Sequence, residues 1–444
     1  MKGKNRYTIL LLLICVSLYS SGQDLKIVDN VTDEDLLRIR TKAMERYGAL
    51  YRLKASGPLA ANAPQDTHIL FDWPLRSSGD YDDVPNYYMI QNYVDDDNSD
   101  NVIEYNCGNR AYNLHNGTDI IPWPFWWHMM DRDYVYVVAA APGIVIDVLD
   151  GYNNDQNCSC IGNNNVVTIL HADSSVSIYY HIKDNSALVN ENNIVWQGQP
   201  IATVGSSGCS ISPHLHFEVR DKNDKLIDPW IGPNPASDCN NRNEDSWWIN
   251  QKPYWEPQVN RVMTHSAQPS LQGYNSNNNF CPFGESVLAK NNFAPGETVF
   301  IGIAMHDYLN NTSVSYTVTF PNGTVVSGNN SNTSGNNNPR QYLVSSLQLP
   351  SNAPAGTYRV DATYQGIVST HYFSVNCIAN YSLTGTLSGS RGYIASNTIQ
   401  SDATLPNGSK IKMQAANNIQ LNPGFTAIAG TVFKARIKDC NYTE

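Results

Sequence analysis

Residues 213–220 read PHLHFEVR, two histidines flanking a single leucine at the mouth of a strand. Strand geometry points residues two apart to the same side, so His214 and His216 face one way. The chain holds only ten histidines, and pairing two of them has a structural and a chemical reading. Two histidines on one strand face can simply form a polar, half-exposed edge. A chemical role requires partners, and these are sought in the strands around the pair.

Outward from PHLHFEVR, short β-like runs fill residues 105–230: YVYVVAAAPGIVIDVL, NVVTILHA and VSIYYHI, broken by Gly, Asn and Asp turns. This pattern predicts an antiparallel β domain. NLHNGTDI places His115 and Asp119 four residues apart around a glycine, and SIYYHIK ends an alternating strand at His181, which puts that ring at a sheet rim. A hydrolytic zinc site needs three nitrogen or oxygen ligands and one open position for water. His115, Asp119 and one histidine of HLH would supply the ligands. The other HLH histidine faces the same cavity and is free to move a proton, and His181 adds a donor for developing oxyanion charge. Periodicity alone leaves open which of His214 and His216 ligates.

HNGTD, YYHI, GQPIATVGSSGCSISPHLHFEV and IDP, in that order, resemble the LytM/lysostaphin-type zinc metallopeptidases, whose members cut peptide bonds in bacterial peptidoglycan. The resemblance covers residues 105–230. It implies a lysostaphin-like antiparallel β domain with Zn2+ on His115, Asp119 and His216, His214 as general base and acid, and His181 steadying the transition state. Gly205 and Gly208 allow a tight loop into the strand, and Pro213 restrains the entry to His214. Relatives that act as silent scaffolds for another wall hydrolase generally lack ligand residues, whereas each expected ligand is present here. A scaffold role and a secreted protease acting on foreign proteins or walls stand as alternative functions.

One insertion departs from the simplest members: IIPWPFWWHMMDRDYVYV, between Asp119 and AAAPGIV. Its aromatics are read as packing against the irregular N-terminal region. The functional alternative is a wall of the substrate groove, with Trp123, Trp126 and Trp127 stacking on sugar or peptide. His128 is read as a polar rim group, and His171 as structural.

The rest of the chain bounds these readings. Its 444 residues exceed one core. Residues 1–22 have a basic start, an apolar run and small residues, the build of a signal peptide cleaved near Gly22. The expected location is therefore periplasmic, outer-surface or extracellular. Eight cysteines follow the leader, an even number that favours disulfides. A net charge of −11 excludes nucleic acid and anionic membrane as bulk electrostatic partners, and no later stretch is long and apolar enough for a transmembrane anchor. Peptidoglycan peptide is the expected partner, and the sequence does not set an oligomeric state.

Residues 23–104 are read as one helix, starting at a Thr32 cap, followed by an irregular region whose acidic run DDDNSD (95–100) is a solvated loop. Residues 231–275 are a connector, and 276–377 space their turns like an immunoglobulin-like β-sandwich. Residues 378–444 form a small β module, too short to stand without cross-linking or docking, with no repeat at solenoid periods. NIQLNPGFTAIAGTVFKARIKDC resembles a β module recurring at the ends of exported Bacteroidota proteins, and Cys377 and Cys440 bracket it as a candidate pair. The predicted class is mainly β.

Overall fold

The computed structural model describes residues 38, 41, 42, 68–78, 86–97, 99–154, 163–232, 245–271 and 285–443. The leader, its cleavage site and four of the cysteines (158, 160, 239 and 281) lie outside the described residues. So does most of the expected N-terminal helix, although Arg38, Thr41 and Lys42 are helical, and Arg38 and Lys42 both pair with the buried Asp147.

The first unit is an antiparallel β domain built on two sheets. Its strands are β1 (Leu75–Ser77), β2 (Tyr88–Asn92), β3 (Thr118–Pro122), β4 (Val135–Val138), β5 (Gly143–Leu149), β6 (Val166–His171), β7 (Val176–Tyr180), β8 (Ile194–Val195), β9 (Pro200–Thr203), β10 (Leu215–Arg220) and β11 (Leu226–Ile227). The main sheet runs β2-β3-β10-β7-β6-β5-β8, with β11 on β10, and β1-β4-β9 form the smaller one. Central strands β6, β7 and β10 are buried throughout. Val167, Ile169, Tyr179, Phe217 and Val219 face the main core. Val166, Leu170, Ile178 and Tyr180 point to a second cluster on the opposite face, so burial on both faces explains runs that are apolar at nearly every position.

Two expectations for the flanks of this domain need correction. Residues 75–77 and 88–92, read as irregular, are strands of these sheets; their runs are too short and too interrupted by Pro and Asp to show alternation. The acids Asp95, Asp96 and Asp97, read as a solvated loop, are buried. Asp95 accepts from the N–H groups of Asp97, Ile103 and Leu114 at 2.8–3.2 Å, so a carboxylate that reads as solvent-facing closes a turn instead.

The second unit is an immunoglobulin-like sandwich. One sheet pairs 258–265, 298–308 and 338–348; the other pairs 292–293, 367–375, 356–364, 313–319 and 325–331, with 292–293 parallel to 367–375. Both sheets contribute to one core, including Val299, Ile301, Tyr358 and Phe373. Its first strand falls inside the stretch expected to be a connector. That strand ties the units together: Asn260 Nδ2 donates to Asn86 O and Tyr88 O at 2.7 and 2.8 Å.

Residues 378–443 form a short β-solenoid. Strand 390–401 pairs in parallel with 410–415, which pairs in parallel with 432–437. Ser390, Lys410 and Val432 are register partners, which sets rungs of 20 and 22 residues. The expectation of no solenoid repeat is thus overturned, because so few rungs with such mixed register partners (Ile411 and Phe433, Met413 and Ala435) leave little periodic signal. Cys377 and Cys440 are disulfide-bonded, as expected.

Candidate metal centre

Three neighbouring strands bring the site together. On β10, His216 stands opposite Asp119 of β3 on one side and Tyr180 of β7 on the other. These residues lie on the face away from the main core, where a one-residue register slip would remove all of them. His115 enters from the loop before β3, and His181 follows β7 directly in a left-handed conformation, φ 61°, uncommon for a residue with a side chain.

Asp119 Oδ1 lies 3.0 Å from His115 Nε2 and 3.0 Å from His216 Nδ1, and the two nitrogens are 3.2 Å apart. Each of the three residues is at most 3% exposed. Ligand atoms about 2.1 Å from a tetrahedral zinc are separated by about 3.4 Å. The residues therefore fit a zinc ion in donor type, number and spacing, and no other such group occurs among the described residues.

Backbone carbonyls set the tautomers. His115 Nδ1 donates to Tyr93 O at 2.6 Å, His181 Nδ1 to Ser207 O at 2.7 Å and His214 Nδ1 to Ser212 O at 2.7 Å. A carbonyl can only accept, so each Nδ1 carries a hydrogen, which leaves Nε2 as the ring atom that can bind a metal or exchange a proton. His214 Nε2 reaches within 3.6 Å of Asp119 Oδ1, and the His181 and His214 rings are 4.5 Å apart. His216 is turned the other way. Its Nδ1 enters the cluster, while Nε2 faces Glu218 Oε2 at 3.7 Å, and Arg220 Nε donates to the other Glu218 oxygen.

Electrostatics follow from this packing. Burial alone would raise the Asp119 pKa, but the His115 and His214 charges prevail and hold the carboxyl well below its usual range. Burial opposes charge on His216, yet contacts with Asp119 and Glu218 push its pKa up to about 10. Burial, then the charges of His214 and His216, keep His181 well below the ordinary imidazole value, so it rests neutral.

Other residues hold the cluster in place without a sequence signal of their own. Asn92 Nδ2 donates to Asp119 Oδ2 at 2.8 Å, which leaves Oδ1 for the cluster. Asp95 N donates to His115 O at 2.8 Å, so the buried acid turn fixes the loop carrying that ligand. Gly117 answers to the HNGTD spacing, since a Cβ there would lie 2.5 Å from His216 Nε2. At Gly208, φ +72, a Cβ would fall 1.5 Å from Asn164 Oδ1, and the adjacent Cys209 is disulfide-bonded.

The structure does not bring the insertion tryptophans to this cluster. Trp123, Trp126 and Trp127 are 2–4% exposed and pack with Met89, Ile121 and Met130 beside Ala304 of the sandwich. They offer no ring face to a substrate, and the groove-wall reading is withdrawn. Packing against the N-terminal region was the expected reading, and the sandwich shares that packing with the N-terminal strand. His128 lies in the short helix Trp126–Asp131, outside the cluster. His171 bonds Pro142 O and Ser177 Oγ, a structural role.

The family described as Peptidase family M23 matches residues 128–229. The match includes His181, His214 and His216 but begins after His115 and Asp119. The chain is 38% identical over 99 residues to the murein hydrolase activator EnvC of Escherichia coli, covering 22% of this chain and 20% of that protein. It is 44% identical over 96 residues to the murein hydrolase activator NlpD of the same organism, covering 21% of each. This chain thus spans about a fifth of the length of these curated relatives. Among solved structures, the catalytic domain of the antimicrobial peptidase lysostaphin from Staphylococcus simulans aligns at 26% identity over 26% of this chain and 77% of that one, with a TM-score of 0.20.

Proposed function

We propose that the M23 domain of this chain is an exported zinc metallo-endopeptidase that hydrolyses peptide bonds in peptidoglycan cross-links or stem peptides. The convergence of His115 Nε2, Asp119 Oδ1 and His216 Nδ1 at 3.0–3.2 Å carries this reading. The family match supplies the peptidase class, and the word murein in the relatives' names supports the substrate.

His115, Asp119 and His216 would hold a zinc ion, which would supply Lewis-acid activation of a water and of the scissile carbonyl. His214 Nε2, 3.6 Å from Asp119 Oδ1, takes a proton from the attacking water and returns it to the leaving amine. Its Nδ1 hydrogen bond to Ser212 O fixes the ring while it does so. His181 rests with its Nε2 unprotonated, so it becomes a donor to the oxyanion only after gaining a proton. Oxyanion charge offsets the surroundings that otherwise disfavour that proton.

The test joins metal analysis of the purified chain with hydrolysis of defined peptidoglycans. One zinc per chain and released peptides are expected; a chain without zinc, or His216→Ala with full zinc and full activity, overturns the reading. The names of the relatives favour a second reading, a wall-hydrolase activator. Stimulation of another hydrolase by metal-free protein, with no cleavage of its own when loaded, would establish it. Among the described residues, no helix is long and apolar enough to cross a membrane.

A further inference from the structure

We propose that Asp307 of the sandwich is a positioning residue for the His-Asp-His cluster, on the reading that this cluster holds zinc. It acts through Arg110 on the end of β2, where two of the ligands take their orientation. His115 Nδ1 donates to Tyr93 O at 2.6 Å, and Asn92 Nδ2 donates to Asp119 Oδ2 at 2.8 Å. Asn92 is the last residue of β2, and Tyr93 follows it. A metal ligand is only as well placed as the groups that bond its far side.

β2 is the outermost strand of the main sheet, and its pairing with β3 slips between Ile90 and Asn92. Such an irregularity re-aims side chains and leaves the strand end less firmly held by the ladder. Arg110 supplies a second support. Its Nη2 donates to Ile90 O, and its own carbonyl accepts from Tyr93 N at 2.8 Å. The guanidinium also lies over the rings of Tyr93, Tyr254 and Trp255, 5.0–5.8 Å from their centroids. Arg110 is 8% exposed, and a cation buried to that degree requires an anion.

Asp307 meets it from the sandwich, with Oδ1 3.3 Å from Arg110 Nη1. The other carboxylate oxygen accepts from Glu256 N at 2.8 Å, which fixes the group with Oδ1 toward Arg110. Asp307 is 4% exposed and left-handed, φ 53°, near the end of strand 298–308. Glycine or asparagine would take that conformation without burying a charge, so the acid answers to Arg110 rather than to the turn. Burial raises the Asp307 pKa, and the Arg110 charge is the largest influence against it. The sandwich thereby contributes to the metal centre. His115 and Asp119 depend on this path, whereas His216, backed by Glu218 on β10, does not.

The test is the zinc affinity of the full chain, measured by competition with a chromogenic chelator and independent of turnover. Asp307→Asn should bind zinc about tenfold more weakly. Arg110→Gln should lose at least as much, and the double variant no more than Arg110→Gln alone, because both residues act along one path. Glu285→Ala removes a different contact between the two units, at His128 N, and should keep wild-type affinity. Should Asp307→Asn fail to fold, Arg110→Met/Asp307→Leu removes the pair without leaving a buried charge and carries the same expectation. Wild-type affinity in either variant lacking the pair, additive losses, or an equal loss in Glu285→Ala would each overturn the proposal. A wild-type chain that takes up no zinc would overturn the metal reading and this role with it. Zinc binding without hydrolysis would count against the peptidase alone and leave the role of Asp307 standing.

Discussion

Asp119 and His216 are register partners on adjacent antiparallel strands, and their side chains meet at 3.0 Å between Oδ1 and Nδ1. A sheet holds such a pair with little freedom, because each residue is flanked by buried neighbours on its own strand. Ligand and proton-carrying roles should therefore separate cleanly. Asp119→Ala is expected to abolish both bound zinc and hydrolysis. His214→Ala should retain one zinc per chain and lose about 10²- to 10⁴-fold in kcat. Metal analysis beside peptidoglycan hydrolysis checks both; loss of zinc in His214→Ala would move that ring into the ligand set.

Glu218 stands behind His216, on the side away from the cluster. The carboxylate lies 3.7 Å from Nε2 and is itself clamped by Arg220, with Glu218 wholly buried. A carboxylate behind a ligand imidazole fixes the ring and raises its basicity. Glu218→Gln keeps the volume and removes the charge, so metal affinity should fall about 10- to 100-fold. Competition with a chromogenic chelator measures this without reference to turnover. Unchanged affinity would reduce Glu218 to a partner of Arg220.

Sequence made the site legible where spacing encodes chemistry. HNGTD and HLH each put two polar groups at a separation that local geometry converts into proximity, and the cluster unites both motifs. Asn92, Asp95 and Glu218 were not legible in the same way, because their roles arise from strand pairing and turn closure across distant segments. The solenoid escaped for a related reason. Parallel rungs are defined by what stacks on them, and Lys412 opposite Lys434 carries no apolar period to detect.

The tryptophans of the insertion give a prediction opposite in kind to that of a substrate wall. Trp127 is 4% exposed, in the cluster that joins the first unit to Ala304 and Tyr342 of the sandwich. Trp127→Ala should cost about 3–5 kcal/mol, read as a lower denaturation midpoint. KM for a soluble peptide should change little at temperatures where the variant is folded. A raised KM with unaltered stability would restore the groove reading.

The Cys377–Cys440 disulfide closes a loop with a sequence separation of 63 residues around the solenoid. The module has a small core of residues such as Leu383, Ile399, Leu405 and Met413, and many of its outer positions are exposed. Cores of this size rarely suffice alone. Restriction of the unfolded chain by a loop of that length is worth about 4 kcal/mol. Cys377→Ala/Cys440→Ala should therefore expose the C-terminal module to limited proteolysis while the first unit stays resistant and keeps the zinc expected at its His-Asp-His cluster. Docking on the sandwich also contributes, including Ile394 N donating to Thr357 Oγ1 at 3.0 Å. Full protease resistance in the double variant would show that docking alone holds the module.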